Sequence, residues 1–275
     1  MASEEHKSLA QYLKDVHSSL RNSSLELGPE AAWSKHCGDW TVLKEYANCM
    51  QKLACNYWES SETTSRIKWA ADLCSEYFNT TIDKYRNRDL EIASKINIEL
   101  NIEAQFEKPY KLLDIGSCYN PFKVYEYLDV LPIDLCPAND TVYQCDFLSV
   151  KIGPNCTIIG DRVTELQENY FDIVTFCFVL EYIPSSNLRI KACMKAYDIL
   201  RNGGLMIITT PDSKHVGANA RIMKCWQYTL SCIGFTRIKY EKFDHMHCMA
   251  FRKASHLDVA KRYIYRSASG FEPDS

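Results

Sequence analysis

Three aspartates recur through the middle of the chain: Asp114 in "KLLDIG", Asp134 in "LPIDLC" and Asp146 in "YQCDFL". Each closes a short apolar run. That pattern places carboxylates at the carboxyl ends of parallel β-strands, where open α/β sheets bind their ligands. An acid about twenty residues past the first can accept both hydroxyls of a ribose. Asp146 can accept from the exocyclic amine of adenine, and Phe147 beside it can stack on the base. Gly116 lets the backbone approach a ligand closely. The bland alternative is three loop acids on a solvated edge.

A dinucleotide would need its pyrophosphate cradled by a Gly-x-Gly-x-x-Gly turn at a helix N-terminus. "DIGSCYNPF" offers one glycine, and Pro121 makes a stiff turn of it. The missing glycines disfavour a nicotinamide-dependent oxidoreductase. A ligand with ribose and adenine but no phosphate fits better. S-adenosylmethionine is such a ligand, with S-adenosylhomocysteine as its competitor for the same site.

The elements that must position these acids change along the chain. In "DWTVLKEYANCMQKLACNYWES" the residues Leu43, Tyr46, Ala47, Met50, Leu53, Ala54 and Tyr57 follow the three-four spacing of a helix face. Asp39 is placed to cap that helix, and Pro29 to begin an earlier one. "SRIKWAADLCSEYF" repeats the helical pattern. From Tyr110 short apolar runs alternate with helix-length spacers, the βαβ grammar of a parallel sheet covered by helices. "IGFTRIKYEKF" and "HMHCMAFRK" pair as a terminal hairpin around Asp244. The expected division is a helical domain over 1–100, a ligand-binding α/β domain over 101–255 and a loose tail over 256–275.

Thirteen cysteines, odd in number and without a Cys-x-x-Cys pair, fit reduced thiols of an intracellular protein better than a disulfide framework or zinc ribbon. His245 and His247 alternate on a strand, so they could share a ligand, but no matching pair exists elsewhere; no metal is expected. "MASEEHKSLAQ" lacks the basic and apolar character of a signal peptide, and no apolar run is long enough to span a bilayer. Residues 1–188 carry 17 basic and 28 acidic side chains, whereas residues 189–266 carry 15 and 5. A basic half can face phosphate, an acidic partner or the chain's own acidic half.

Two further stretches carry a resemblance. "FDIVTFCFVLEYIP" resembles the fourth strand of class I methyltransferases, and "ILRNGGLMIITTPD" their helix–Gly-Gly–strand segment. The fold this implies is a Rossmann-like seven-stranded sheet preceded by a helical bundle. "RIKW", "LLDIGSCYNPF", "IDLCPA", "YQCDFL", "TPDS" and "GFTRIKYEKFDHMHCMAFRK" together resemble the SAMTOR family of S-adenosylmethionine sensors in TOR signalling. More distantly they resemble fungal large-subunit rRNA adenine methyltransferases.

That resemblance implies a pocket of Gly116, Ser117, Asp134, Leu135, Asp146 and Phe147. Cys177 and Phe178 border its methionine end, and Arg66 reaches from the helical region to the ligand's carboxylate. By itself Arg66 reads as a solvated arginine on a helix surface. The family further implies a cytoplasmic, non-catalytic sensor that associates with a GATOR-type GTPase-activating complex and the KICSTOR scaffold when the ligand is scarce. Those partners would recruit it to the lysosomal surface. The alternative is an active RNA adenine methyltransferase. Against it, "CFVLEY" lacks the Asp or Asn, prolines and aromatic that usually grip an acceptor amine, although positioning alone can carry methyl transfer.

Overall fold

The computed structural model describes residues 3–58, 65–100, 105–212 and 219–268. The domain boundary expected at 100/101, Ser213 of "TPDS" and residues 269–275 of the tail fall outside these. Five helices come first: α1 (Glu4–Leu27), α2 (Pro29–Cys37), α3 (Trp40–Leu53), α4 (Arg66–Glu76) and α5 (Ile82–Lys95). Their starts are local. Pro29 opens α2, the Asp39 carboxylate accepts from Val42 N–H at α3, and the Ser65 hydroxyl caps α4. Such side-chain caps each contribute about 1 kcal/mol.

The sheet is built from β1 (Tyr110–Ile115), β2 (Leu128–Asp134), β3 (Tyr143–Gln144), β4 (Lys151–Gly153), β5 (Thr157–Ile159), β6 (Arg162–Gln167), β7 (Phe171–Cys177), β8 (Leu200–Pro211), β9 (Phe235–Phe243) and β10 (Met246–Lys253). Helices α6 (Ser186–Ile199) and α7 (Asn219–Ile233) fall between the later strands, and α8 (Leu257–Ala268) follows them. The order is β4-β6-β3-β2-β1-β7-β8-β10-β9, with β5 paired to β6. The seven expected strands form its body, β3-β2-β1-β7-β8-β10-β9. Three short strands over 151–167 extend it to ten, a stretch whose alternation is too brief to read as strands beforehand. The β8–β10 and β9–β10 pairings are antiparallel, and a two-residue turn with His245 in the left-handed region closes the hairpin.

Alternation along each strand sends neighbours to opposite faces. Leu113 packs with Ile133, Phe176 and Met249 under α6 and α7. Leu112 packs instead with Ile173, Ile207 and Ala250 under α4 and the π-helical turn that follows it. The helical region thus divides by its packing. Helix α4 and the turn Tyr77–Thr81 belong to the sheet's own core, and α5 is tied to it through Asp89, which pairs with Arg252 of β10. The Tyr77 hydroxyl accepts from the same guanidinium and donates to the Gly203 carbonyl at 2.7 Å. Helices α1–α3 form a layer over the carboxyl ends of the strands, joined to the sheet's core through Leu20 and Trp33.

Candidate functional site

A cleft opens between that layer and the strand ends, with a cavity volume of about 100 Å³. Seven of the expected residues line it: Gly116, Asp134, Leu135, Asp146, Phe147, Cys177 and Phe178. Arg66 and Ser117 are not on its wall. They lie with Asp114 on the α4 side of the sheet, because Asp114 is the fifth residue of β1 and not a residue beyond its end. Its side chain therefore faces the way Leu112 faces.

Asp114 is 1% exposed, and the Thr175 hydroxyl donates to it. Burial lifts its carboxyl to about 6, against the opposing pull of the Ser117 and Thr175 hydroxyls and the Arg66 charge. The Arg66 guanidinium also lies 5.1 Å from the centre of the Phe178 ring. Phe178 adopts φ 59°, a left-handed conformation costly for a side chain and typical of functional turns. At Gly116, φ is 70° and an added Cβ would lie 2.3 Å from a Val179 methyl. Only glycine fits there.

Asp134 ends β2 and organises the turns on both sides of it. One oxygen accepts from Cys118 N–H at 3.0 Å, the other from Cys136 N–H at 2.9 Å. Burial raises its carboxyl to about 6, with those same amides opposing the rise. Each oxygen keeps lone-pair capacity for a hydroxyl donor. Asp146 accepts from Leu148 N–H, from the Ser149 hydroxyl and, at 3.2 Å, from the Trp33 indole N–H. Phe147 packs edge-on against Phe176 while it borders the cleft.

The wall facing the strand ends comes from residues not anticipated as site residues: Trp33 of α2 and Leu43, Tyr46, Ala47 and Met50 of α3, with Tyr182 after β7 beside them. The α3 set is the apolar face already visible in the three-four spacing. What it packs against was not visible. Above it, His17 bonds the Tyr46 hydroxyl at 2.8 Å, His36 bonds the Tyr182 hydroxyl, and the two tyrosine rings lie 4.8 Å apart. Burial lowers the pKa of His17 to about 4 and also lowers that of His36.

The two histidines of "DHMHC" do not converge. His245 occupies the hairpin turn, whereas His247 is buried between the Tyr240 hydroxyl at 3.0 Å and Asp212 at 2.8 Å. Among the described residues no group of three or more His, Cys, Asp and Glu is arranged to hold a metal. None of the described helices is long and apolar enough to cross a membrane.

A family model described as 25S rRNA (adenine(2142)-N(1))-methyltransferase, Bmt2, matches residues 56–268. The chain belongs to the Bmt2 family. Curated relatives include a Danio rerio protein named S-adenosylmethionine sensor upstream of mTORC1, 34% identical over 92% of this chain and 72% of that protein. A Xenopus tropicalis protein of the same name is 37% identical over 91% of this chain and 71% of its own length. Among solved structures, a Burkholderia thailandensis 1,6-didemethyltoxoflavin-N1-methyltransferase is similar at 14% identity and TM-score 0.40, covering 71% of this chain and 93% of that one. The Bmt2 match takes in α4, α5 and the whole sheet; helices α1–α3, which roof the cleft, precede it.

Proposed function

We propose that the protein binds S-adenosylmethionine in this cleft and acts as a sensor of it upstream of TOR signalling. One observation carries the reading: Asp134 and Asp146 meet in a cleft whose opposite wall is formed by α2 and α3. Asp134 takes the ribose diol, and Asp146 with Phe147 takes the adenine. The methionine end runs past Gly116, Cys177 and Phe178 toward Arg66 and Ser117. S-adenosylhomocysteine, which shares the adenosyl part, competes.

A ligand that touches both layers stabilises the closed arrangement only by its difference in affinity for closed and open. A nearly complete switch takes about 5.5 kcal/mol. Arg66 sits on α4, which packs into the sheet's own core, so a contact between it and the ligand carboxylate adds affinity equally in both states and nothing to that difference. The difference comes from α1–α3, which close over the cleft. In the closed, ligand-bound state the protein releases a GATOR-type complex and KICSTOR; without ligand it associates with them, from the cytoplasm, at the lysosomal surface. The names of the curated relatives support the sensing role, and the partners are inferred from the family resemblance.

Calorimetry with S-adenosylmethionine, S-adenosylhomocysteine and NAD tests the ligand. The expected result is binding of the first two, its loss in Asp134→Ala, and no heat with NAD. Arg66→Ala should weaken binding and leave closure of α1–α3 intact; unchanged affinity would remove Arg66 from the site. The family model favours a second reading, an RNA adenine methyltransferase. Methyl-labelled cofactor incubated with total RNA separates the two. Label transfer lost in Asp134→Ala favours the enzyme, whereas ligand-dependent loss of a co-purifying GATOR-type complex favours the sensor.

A further inference from the structure

We infer that Lys195, on α6 and outside the cleft, positions the loop that recognises the purine. The loop runs from Asp146 to Val150 and is attached to the sheet at its ends by β3, of two residues, and β4, of three. Its turn is internally bonded, with the amides of Ser149 and Val150 donating to the Asp146 carbonyl at 3.1 and 2.9 Å. Those bonds fix the shape of the turn but not its place over the strand ends. Trp33 of α2 holds the Asp146 end of the loop, and the Lys195 ammonium holds the rest: it donates to the Leu148 carbonyl at 3.2 Å and to the Val150 carbonyl. It also lies 5.6 Å from the centre of the Phe147 ring.

Helix α6 is a fixed reference, since its Ala192, Cys193 and Ala196 are fully buried against the sheet. One cation therefore ties both loop carbonyls and the stacking ring to the core. Burial lowers the Lys195 pKa, and the nearby Asp146 carboxylate opposes that. Remove the ammonium and two carbonyls lose their donor while the loop keeps its internal turn. Fine placement of Asp146 against a base amine is what suffers.

The first test needs no ligand. In Lys195→Met, amides of residues 148–150 should exchange hydrogen on the order of tenfold faster than in the unmodified chain. Unchanged exchange overturns the inference. The second rests on the proposed adenosyl site and compares S-adenosylhomocysteine with S-inosylhomocysteine, which lacks the exocyclic amine. Lys195→Met should weaken the adenosyl ligand about tenfold and erase the preference for it, and Lys195→Arg should restore both. Equal weakening for the two ligands marks a merely structural lysine and overturns the positioning role. Lys195→Gln carries the same expectations if the methionine variant misfolds. If the unmodified chain binds neither ligand, the sensor reading falls, and hydrogen exchange still decides the role of Lys195.

Discussion

The Trp33 indole N–H donates to Asp146 across 3.2 Å, joining α2 of the roof to the loop that flanks the base side of the cleft. The Cys37 thiol, one helical turn further on, approaches the other oxygen of the same carboxylate at 3.9 Å. Roof and loop are thus tied through one acid, which is also the acid assigned to the ligand's amine. Trp33→Phe keeps the ring and deletes the donor. The loss of a bond to a charged group costs about 1.5–3 kcal/mol, so S-adenosylmethionine affinity should fall by on the order of tenfold, read by calorimetry. An unchanged affinity would mean that the roof does not help to place Asp146.

Asp114 tests the cost of keeping a carboxylate inside the sheet. Its folded pKa of about 6 lies above the ordinary 3.8. The folded chain therefore holds that proton more tightly, and stability falls as pH rises from 3.8 to about 6, then stays low. Two pKa units correspond to on the order of 3 kcal/mol at neutral pH. Asp114→Asn keeps an acceptor for the Thr175 hydroxyl and removes the charge. Urea unfolding of the ligand-free variant should show a gain of about 1–3 kcal/mol near pH 7 and a flatter slope between pH 4 and 6.

His17 has the opposite sign. Burial holds its pKa at about 4, below the ordinary 6.5, with Arg21, His36 and Arg189 adding to the depression. The unfolded chain takes up the proton first, so stability of the roof is lost as pH falls from 6.5 toward 4. Limited proteolysis of α1–α3 should therefore accelerate through that window. His17→Phe, which cannot be protonated, should remove the acceleration while losing the bond to Tyr46. Cleavage independent of pH in the unmodified chain would count against a buried neutral imidazole.

The Arg252–Asp89 pair fixes α5 to β10 with both side chains at most 2% exposed. Asp89→Ala leaves a buried guanidinium without this partner, a change that costs about 3–5 kcal/mol. The urea midpoint should drop accordingly. A shift below about 1 kcal/mol would mean that the pair behaves as a solvated one.

Much of this architecture was legible because it is local. Periodicity gave α3 and α4, Asp39 capped α3, Pro29 started α2, and the apolar runs ending in acids marked β1, β2 and the loop after β3. The single glycine of "DIGSCYNPF" carried information too, since Gly116 turns out to be the one position where Val179 leaves no space for a side chain. Strand parity was harder. Asp114 sits inside β1 and faces α4, so it belongs with Arg66 and Ser117 behind the cleft and not with Asp134 and Asp146 in it.

By itself the sequence determined that acids would close the apolar runs of β1 and β2 and that α3 would carry one apolar face, because both are set by spacing over a few residues. Only the tertiary structure decided that α4 and α5 are part of the sheet's body while α1–α3 roof the cleft, and that Trp33, Tyr46 and Tyr182 complete its wall. The reason is physical. An amphipathic face specifies that something must cover it, not what. The partner is chosen by contacts between residues more than a hundred positions apart, such as Trp33 with Asp146 and Arg252 with Asp89, which no local pattern encodes.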